Sequence, residues 1–137
     1  MTKFESGIKN IQASQEAVYQ KLSDLNNLEK VKERLPEDKI KDLTFDAYSM
    51  TMEVNPVGKI TLQIVEKEPC KCIKFETAAS PFPFNLWIQI LPVTAGECKM
   101  KLPIGLEINP FMKARVQRPL QDGLEMMADM LSLLPYY

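Results

Sequence analysis

The sequence predicts an α+β fold, in which a curved antiparallel sheet wraps around a long C-terminal helix and two short helices follow the first strand. Apolar residues recur every three or four positions from Met112 to Leu134, which is the spacing of one helix face. Before this segment, five or six stretches alternate apolar and polar residues with a period of two, as strands do. Turn residues separate these stretches, so we expect hairpins rather than crossover helices to link them.

The N-terminal segment predicts one strand and two short helices. Residues Phe4 to Ile11 alternate loosely and form the expected strand. Ser14 is a suitable N-cap for the helix that follows, because its hydroxyl can accept a hydrogen bond from a free amide of the first turn. A second short helix is expected over residues 28–35, after two asparagines and before Pro36.

The middle of the chain predicts a meander of strands. Its alternating segments are residues 48–54, 59–64, 72–77, 84–91, 97–102 and 104–108. Residues 84–91 are almost continuously apolar, which is typical of a strand that is covered on both faces. Pro103 cannot donate a ladder hydrogen bond, so we expect a bulge or a sheet edge at that position.

The C-terminal helix is expected to run from Pro110 to Leu134, about 37 Å at 1.5 Å per residue. Pro119 lies inside the apolar stripe and Gly123 follows four residues later, so a bend is expected there. The broad apolar side of this helix is rich in methionine and needs the sheet as its partner surface. The sequence therefore predicts a sheet that closes around the helix, with room for a cavity between them.

The composition indicates one globular domain over residues 1–137. Seventeen basic and eighteen acidic residues give a net charge of −1, so no basic excess attracts nucleic acid. No apolar run is long enough to cross a bilayer, and the polar start MTKFESGIKN differs from an export signal. We therefore expect a soluble, cytoplasmic protein with no integral membrane segment, and the oligomeric state stays open.

The absence of histidine restricts the chemistry that this chain can perform. It removes the most common general base and the most common metal ligand. The three cysteines, Cys70, Cys72 and Cys98, are too few for a tetrahedral zinc site, and their odd number argues against a disulfide framework. The sequence therefore predicts no metal, no cofactor and no catalytic residue.

Three segments together carry a resemblance to a known family. They are the opening strand KFESGIKNIQAS running into SQEAVYQKLSDL, the meander from Leu43 to Ile108, and the terminal NPFMKARVQRPLQDGLEMMADML. Over nearly its full length the chain resembles the START-like (SRPBCC) superfamily, whose helix-grip fold also occurs in birch-pollen-allergen proteins and polyketide cyclases. Its opening is similar to that of cyclase-like members without a characterised function. The resemblance implies a cavity between the sheet and the last helix that takes lipids, sterols, aromatic polyketides or hormones.

The residues expected to bind a ligand combine the inward-facing strand positions with the apolar stripe of the last helix. They are Tyr48, Met50, Met52, Leu62, Phe75, Thr77, Met100, Leu102, Val116, Leu120 and Met127. Almost all of these side chains are apolar, so the predicted function is binding of a small hydrophobic or amphipathic molecule by burial of its apolar surface.

Two other functions stay open. A polyketide cyclase-like enzyme would use a polar cavity residue such as Tyr48 or Asn85. A protein-interaction module would resemble chaperone-ATPase activator domains and act through its surface. A largely apolar cavity favours the binding function, converging polar groups favour the enzyme, and a filled core with an exposed apolar patch favours the interaction module.

Two structural details also have more than one interpretation. Asn85, Trp87 and Gln89 share one face of their strand, and we expect this face to be convex because the opposite face, starting at Phe84 and Leu86, is more purely apolar. The methionines either line an adaptable cavity or fill the core, and the second interpretation is slightly favoured.

Overall fold

The computed structural model describes residues 2–27, 40–54, 58–80, 82–107 and 109–132, which form nine β-strands and two α-helices. In chain order these elements are β1 Thr2–Glu5, β2 Lys9–Ile11, α1 Gln15–Leu22, β3 Ile40–Phe45, β4 Ser49–Val54, β5 Gly58–Glu68, β6 Cys72–Ala79, β7 Phe84–Thr94, β8 Glu97–Lys101, β9 Pro103–Leu106 and α2 Pro110–Ser132. The strands from β3 to β9 run consecutively between α1 and α2 and pair antiparallel, which confirms the predicted α+β class.

The strands form one antiparallel sheet in the order β1-β9-β7-β6-β5-β4-β3, and β8 pairs with both β2 and β7. Strand β7 is central because it pairs with β6, β8 and β9. The sheet curves around α2, as predicted. No helix in the described ranges is long and apolar enough to cross a membrane.

The predicted first strand is interrupted and forms β1 and β2. Ser6 lies in the interruption, where its amide donates to the Leu102 carbonyl at 3.1 Å and its hydroxyl accepts from the Leu102 amide at 2.9 Å. Leu102 separates β8 from β9, immediately before Pro103. The two interruptions therefore face each other, and the irregularity expected at Pro103 is confirmed as a break between two strands.

Strand β3 was absent from the predicted strands because its sequence does not alternate regularly. Asp42 has a φ of 53°, and the register of β3 against β4 shifts between Lys41 and Thr44. A bulge of this kind places two residues opposite one, which shifts the side-chain alternation. With β3, the described residues after α1 form seven strands rather than five or six.

The first short helix is confirmed as α1. The Ser14 hydroxyl accepts from the Ala17 amide at 3.1 Å, which is the predicted N-cap, and Val18 and Leu22 are buried. The second short helix predicted at 28–35 lies outside the described residues, as do residues 55–57 of the predicted turn and Leu134.

The long C-terminal helix is confirmed as α2. Asn109 caps it, because its Oδ1 accepts from the Met112 amide at 2.8 Å. Pro119 lies inside the helix, and the buried side chains keep the predicted helical spacing. These buried residues are Val116, Leu120, Leu124, Ala128 and Leu131.

Candidate ligand-binding site

A cavity lies between α2 and the concave face of the sheet. Strands β4 and β5 contribute cross-strand pairs to it, because Met50 lies opposite Leu62 and Met52 lies opposite Ile60. The rest of the sheet side consists of Phe84, Leu86, Leu102 and Ile104. The helix side consists of Pro119, Leu120, Gly123, Leu124 and Met127.

The chemistry of this lining is uniformly apolar. None of the described lining residues carries a nitrogen or an oxygen atom in its side chain. Such a lining can bind a molecule only through desolvation and dispersion, at about 25 cal/mol per Å² of buried apolar surface. It offers no side chain that could transfer a proton in acid–base catalysis.

The cavity is small in this state. Its volume is about 60 Å³. Pockets for drug-sized ligands typically measure about 300–1,000 Å³. A ligand of that size therefore requires side chains to move, and the three lining methionines are suited to this because their side chains are unbranched and flexible.

Six of the eleven predicted ligand-binding residues lie on this cavity. They are Met50, Met52, Leu62, Leu102, Leu120 and Met127. Phe75, Met100 and Val116 are buried in the core but are absent from the described lining. A period of two or of 3.6 identifies the inward face of an element, whereas the place along that face depends on how the elements pack.

The two predicted residues with a polar group lie elsewhere, which corrects their assignment to the cavity. Tyr48 is 64% exposed beside the β3–β4 turn, with the Lys67 ammonium 5.3 Å from the centre of its ring. The Thr77 hydroxyl accepts from the Phe84 amide at 3.2 Å, and Thr77 borders a separate cleft with Glu76 and Asn85. Both residues continue the alternation of their strands, which assigns them to the inward face. Each lies near the end of a strand, however, where a residue on the inward face can still be exposed to solvent.

Seven lining residues were not among the predicted site residues: Ile60, Phe84, Leu86, Ile104, Pro119, Gly123 and Leu124. The strand residues among them could have been found, since they lie on predicted inward faces. Pro119 and Gly123 had a different signal, because both residues are unfavourable inside a helix and so mark a special position. On β7, Phe84 and Leu86 face the helix, which supports the convex placement of the Trp87 face.

Polar contacts hold the edge of α2 that faces β1 and β2. We call this set of contacts the clasp. Gln121 Nε2 donates to the Glu5 carbonyl at 2.7 Å, and the Gly7 amide donates to Glu125 Oε1. Lys9 Nζ lies 2.7 Å from Asp129 Oδ1 and 3.4 Å from Glu125 Oε2. The hydrogen bond to Asp129 is the main cause that raises the pKa of Lys9 above its usual value.

Cys72 and Cys98 are not activated thiols. Burial raises the pKa of Cys98, and burial together with the charges of Glu68 and Glu66 raises the pKa of Cys72. Both thiols are therefore protonated and weakly nucleophilic at neutral pH. The described part of the chain contains no group of three or more Cys, Asp or Glu side chains arranged to hold a metal ion.

The sequence matches no protein-family model and no curated relative. The fold, in contrast, is similar to solved structures. Norcoclaurine synthase from Thalictrum flavum, in complex with dopamine and hydroxybenzaldehyde, has a TM-score of 0.73 at 15% identity, over 96% of this chain and 84% of that chain. A START superfamily protein from Mycobacterium smegmatis has a TM-score of 0.69 at 13% identity, over 95% of this chain and 94% of that chain.

A third solved structure extends this comparison. A protein from Thermobifida fusca, solved in solution, has a TM-score of 0.67 at 10% identity, over 96% of this chain and 91% of that chain. At these identities the likeness concerns the fold. The chain therefore has the helix-grip fold found in START superfamily proteins and in norcoclaurine synthase.

Proposed function

We propose that the protein binds a small hydrophobic or amphipathic molecule in the cavity beneath α2. The observation that carries this proposal is the apolar cavity that remains at the contact between the helix and the sheet, where close packing is the rule in protein interiors. Burial of 200 Å² of apolar ligand surface there would contribute about 5 kcal/mol before the entropy of association is subtracted.

The position of the lining residues indicates how such a molecule would lie. Leu120 and Leu124 are buried, whereas Pro119, Gly123 and Met127 are partly exposed. The apolar part of the ligand would therefore lie against the leucines, and any polar group would point toward solvent at the partly exposed side. The described lining offers that group no hydrogen-bonding side chain.

The fold comparison supports a small aromatic ligand. Norcoclaurine synthase is a protein of the same fold that was solved with dopamine and hydroxybenzaldehyde bound. The described lining of the cavity in this chain has no side chain that could act as an acid or a base. Sequestration of the ligand, rather than its conversion, is the function that the lining supports best.

Titration with N-phenyl-1-naphthylamine, an uncharged probe whose fluorescence rises in apolar surroundings, tests the proposal. We expect saturable binding of one probe per chain, and native mass spectrometry of the same sample gives the stoichiometry directly. The variant Leu62→Phe enlarges a buried lining residue and should weaken binding about tenfold, which is 1.4 kcal/mol.

The matched control is Leu91→Phe, the same change at an exposed position of β7. It should leave the dissociation constant unchanged. Thermal melting of both variants verifies that they are folded. Absence of saturable binding to the wild type would refute the proposal. A dissociation constant that changes in Leu91→Phe but not in Leu62→Phe would also refute it, because the probe would then bind the outer surface.

A further inference from the structure

We propose that a ligand enters and leaves the cavity along one edge of α2, between this edge and strands β4 and β5. We call this edge the free edge, and its residues are Pro119, Gly123 and Met127. Gly123 sets the width of the opening. The clasp holds the opposite edge in place. This inference rests on the proposed function, because it assigns the route to the same cavity.

The two edges lie on different sides of the helix by simple geometry. Residues 119, 123 and 127 are four apart and form one row, and the clasp residues 121, 125 and 129 form another. Because an α-helix turns 100° per residue, the rows are about 200° apart around its axis. Movement of the free edge away from the sheet therefore does not require the clasp to break.

The clasped edge is bonded to the sheet through directional contacts. Two ion pairs join Lys9 to Glu125 and Asp129, and two hydrogen bonds involve Glu125 and Gln121. Helix α2 also contacts β1, β2 and β8. These elements form the side of the fold to which the helix is attached.

The free edge borders the cavity. Proline and glycine have no polar side-chain group, and methionine has only a weak acceptor, so this edge has little capacity for directional bonds. Pro119 also cannot donate the helical hydrogen bond to the Arg115 carbonyl, which removes one constraint on the helix backbone at this level.

Gly123 indicates that the opening is wide at its own position. Apart from Gly123, its two chain neighbours and the nearby backbone of the same helix, no described atom lies within 4 Å of the place that a Cβ atom would take here. No steric crowding in the described part of the chain therefore requires glycine here, although glycine in a helix interior is about 1 kcal/mol less favourable than alanine. The missing side chain leaves space between the cavity and the partly exposed side of the helix.

The test is stopped-flow measurement of the association and dissociation rate constants of N-phenyl-1-naphthylamine. A residue that narrows the route raises the barrier to entry, so the association rate constant reports on it. Gly123→Leu, which places a side chain in the opening, should lower the association rate constant about tenfold. Because Gly123 also lines the cavity, equilibrium titration measures the accompanying change in the dissociation constant. Gly123→Ala should lower the association rate constant by a smaller factor, and this variant covers the case in which the leucine variant does not fold.

The matched control is Ala114→Leu, which adds a large side chain at an exposed position of the same helix. It should leave both rate constants unchanged. Met127→Ala widens the opening and should raise the association rate constant. If the wild type binds the probe but Gly123→Leu and Gly123→Ala leave the association rate unchanged, the route is refuted while the binding function stands. If the wild type does not bind, the proposed function itself is refuted.

Discussion

At the scale of single residues, Ser6 shows how one polar side chain fixes the shape of the sheet. It is a buried polar residue, and it forms two hydrogen bonds with Leu102 at the point where both strand pairs are interrupted. A buried amide without a partner is unfavourable, so the Ser6 hydroxyl allows the Leu102 amide to leave the regular ladder.

We expect the Ser6→Ala substitution to lower the free energy of unfolding by about 1–3 kcal/mol, because it leaves the buried Leu102 amide without its acceptor. Urea unfolding followed by circular dichroism measures this change. The control is Ser132→Ala, since Ser132 bonds the Asp129 carbonyl on the exposed side of α2 and should change stability by less than about 0.5 kcal/mol. Equal effects for the two variants would contradict the role of Ser6.

Gly123 is the residue at which stability and access to the cavity favour different side chains. We expect Gly123→Ala to raise the free energy of unfolding by up to about 1 kcal/mol, because alanine favours the helix and its Cβ meets open space among the described residues. The reverse change, Ala114→Gly at an exposed position of the same helix, should lower stability by a similar amount. Destabilisation by Gly123→Ala would show that the position is occupied.

At the scale of elements, α2 is bonded to the sheet unevenly. Its clasped edge carries carboxylate and amide groups, and its free edge carries proline, glycine and methionine. The ion pairs of the clasp are partly exposed, with Lys9 at 24% and Asp129 at 57% side-chain exposure. Pairs with this exposure contribute about 0.2–1 kcal/mol each, so the clasp orients the helix more than it stabilises the fold.

The clasp should make stability depend on pH in the alkaline range. Because the folded state raises the pKa of Lys9, the ion pairs of Lys9 stabilise fully below its unfolded pKa of about 10.4, and their contribution is lost as pH rises through the folded value. The difference in the free energy of unfolding between the wild type and Lys9→Met, measured by urea unfolding, should therefore be larger at pH 8 than at a pH above the folded pKa of Lys9.

The control for this measurement is Lys99→Met, since Lys99 is an exposed lysine on β8. Its effect on the free energy of unfolding at neutral pH should be smaller than that of Lys9→Met. A difference for Lys9→Met that grows as pH rises would contradict the assigned role of the clasp.

At the scale of the whole molecule, the fold leaves a small apolar cavity that must expand to receive a ligand. Methionines on both sides of it, Met50 and Met52 on β4 and Met127 on α2, can change rotamers at low cost. This adaptability is a property of the assembled cavity, because the three side chains come from segments that are far apart in the sequence.

Replacement of Met50, Met52 and Met127 by leucine should therefore change the selectivity of binding more than the stability. We expect each swap to alter stability by less than about 1.5 kcal/mol, since the volumes are similar. The triple variant should lose affinity for one of two differently shaped probes, dodecanol and N-phenyl-1-naphthylamine, measured by titration. Met100→Leu, a buried change outside the described lining, is the control, and equal losses in both proteins would contradict the assignment.

Much of this fold could be predicted because the relevant signals are local. The Ser14 cap, the alternation of β4 and the helical spacing of α2 each depend on neighbours a few residues away. The break at Ser6 and the bulge at Asp42 could not be predicted, since each depends on the strand that lies opposite. In the site, alternation identified Met50 and Leu62 but also selected Phe75, which packs elsewhere in the core.

The sequence by itself determined the α+β class, the inward faces of the strands and the amphipathic length of α2, because hydrophobic periodicity records which side of an element is buried. Only the tertiary structure decided where along those faces the cavity lies, which edge of α2 is clasped and that Gly123 borders open space. These features depend on contacts between residues that are far apart in the chain, and such contacts form only when the sheet curves around the helix.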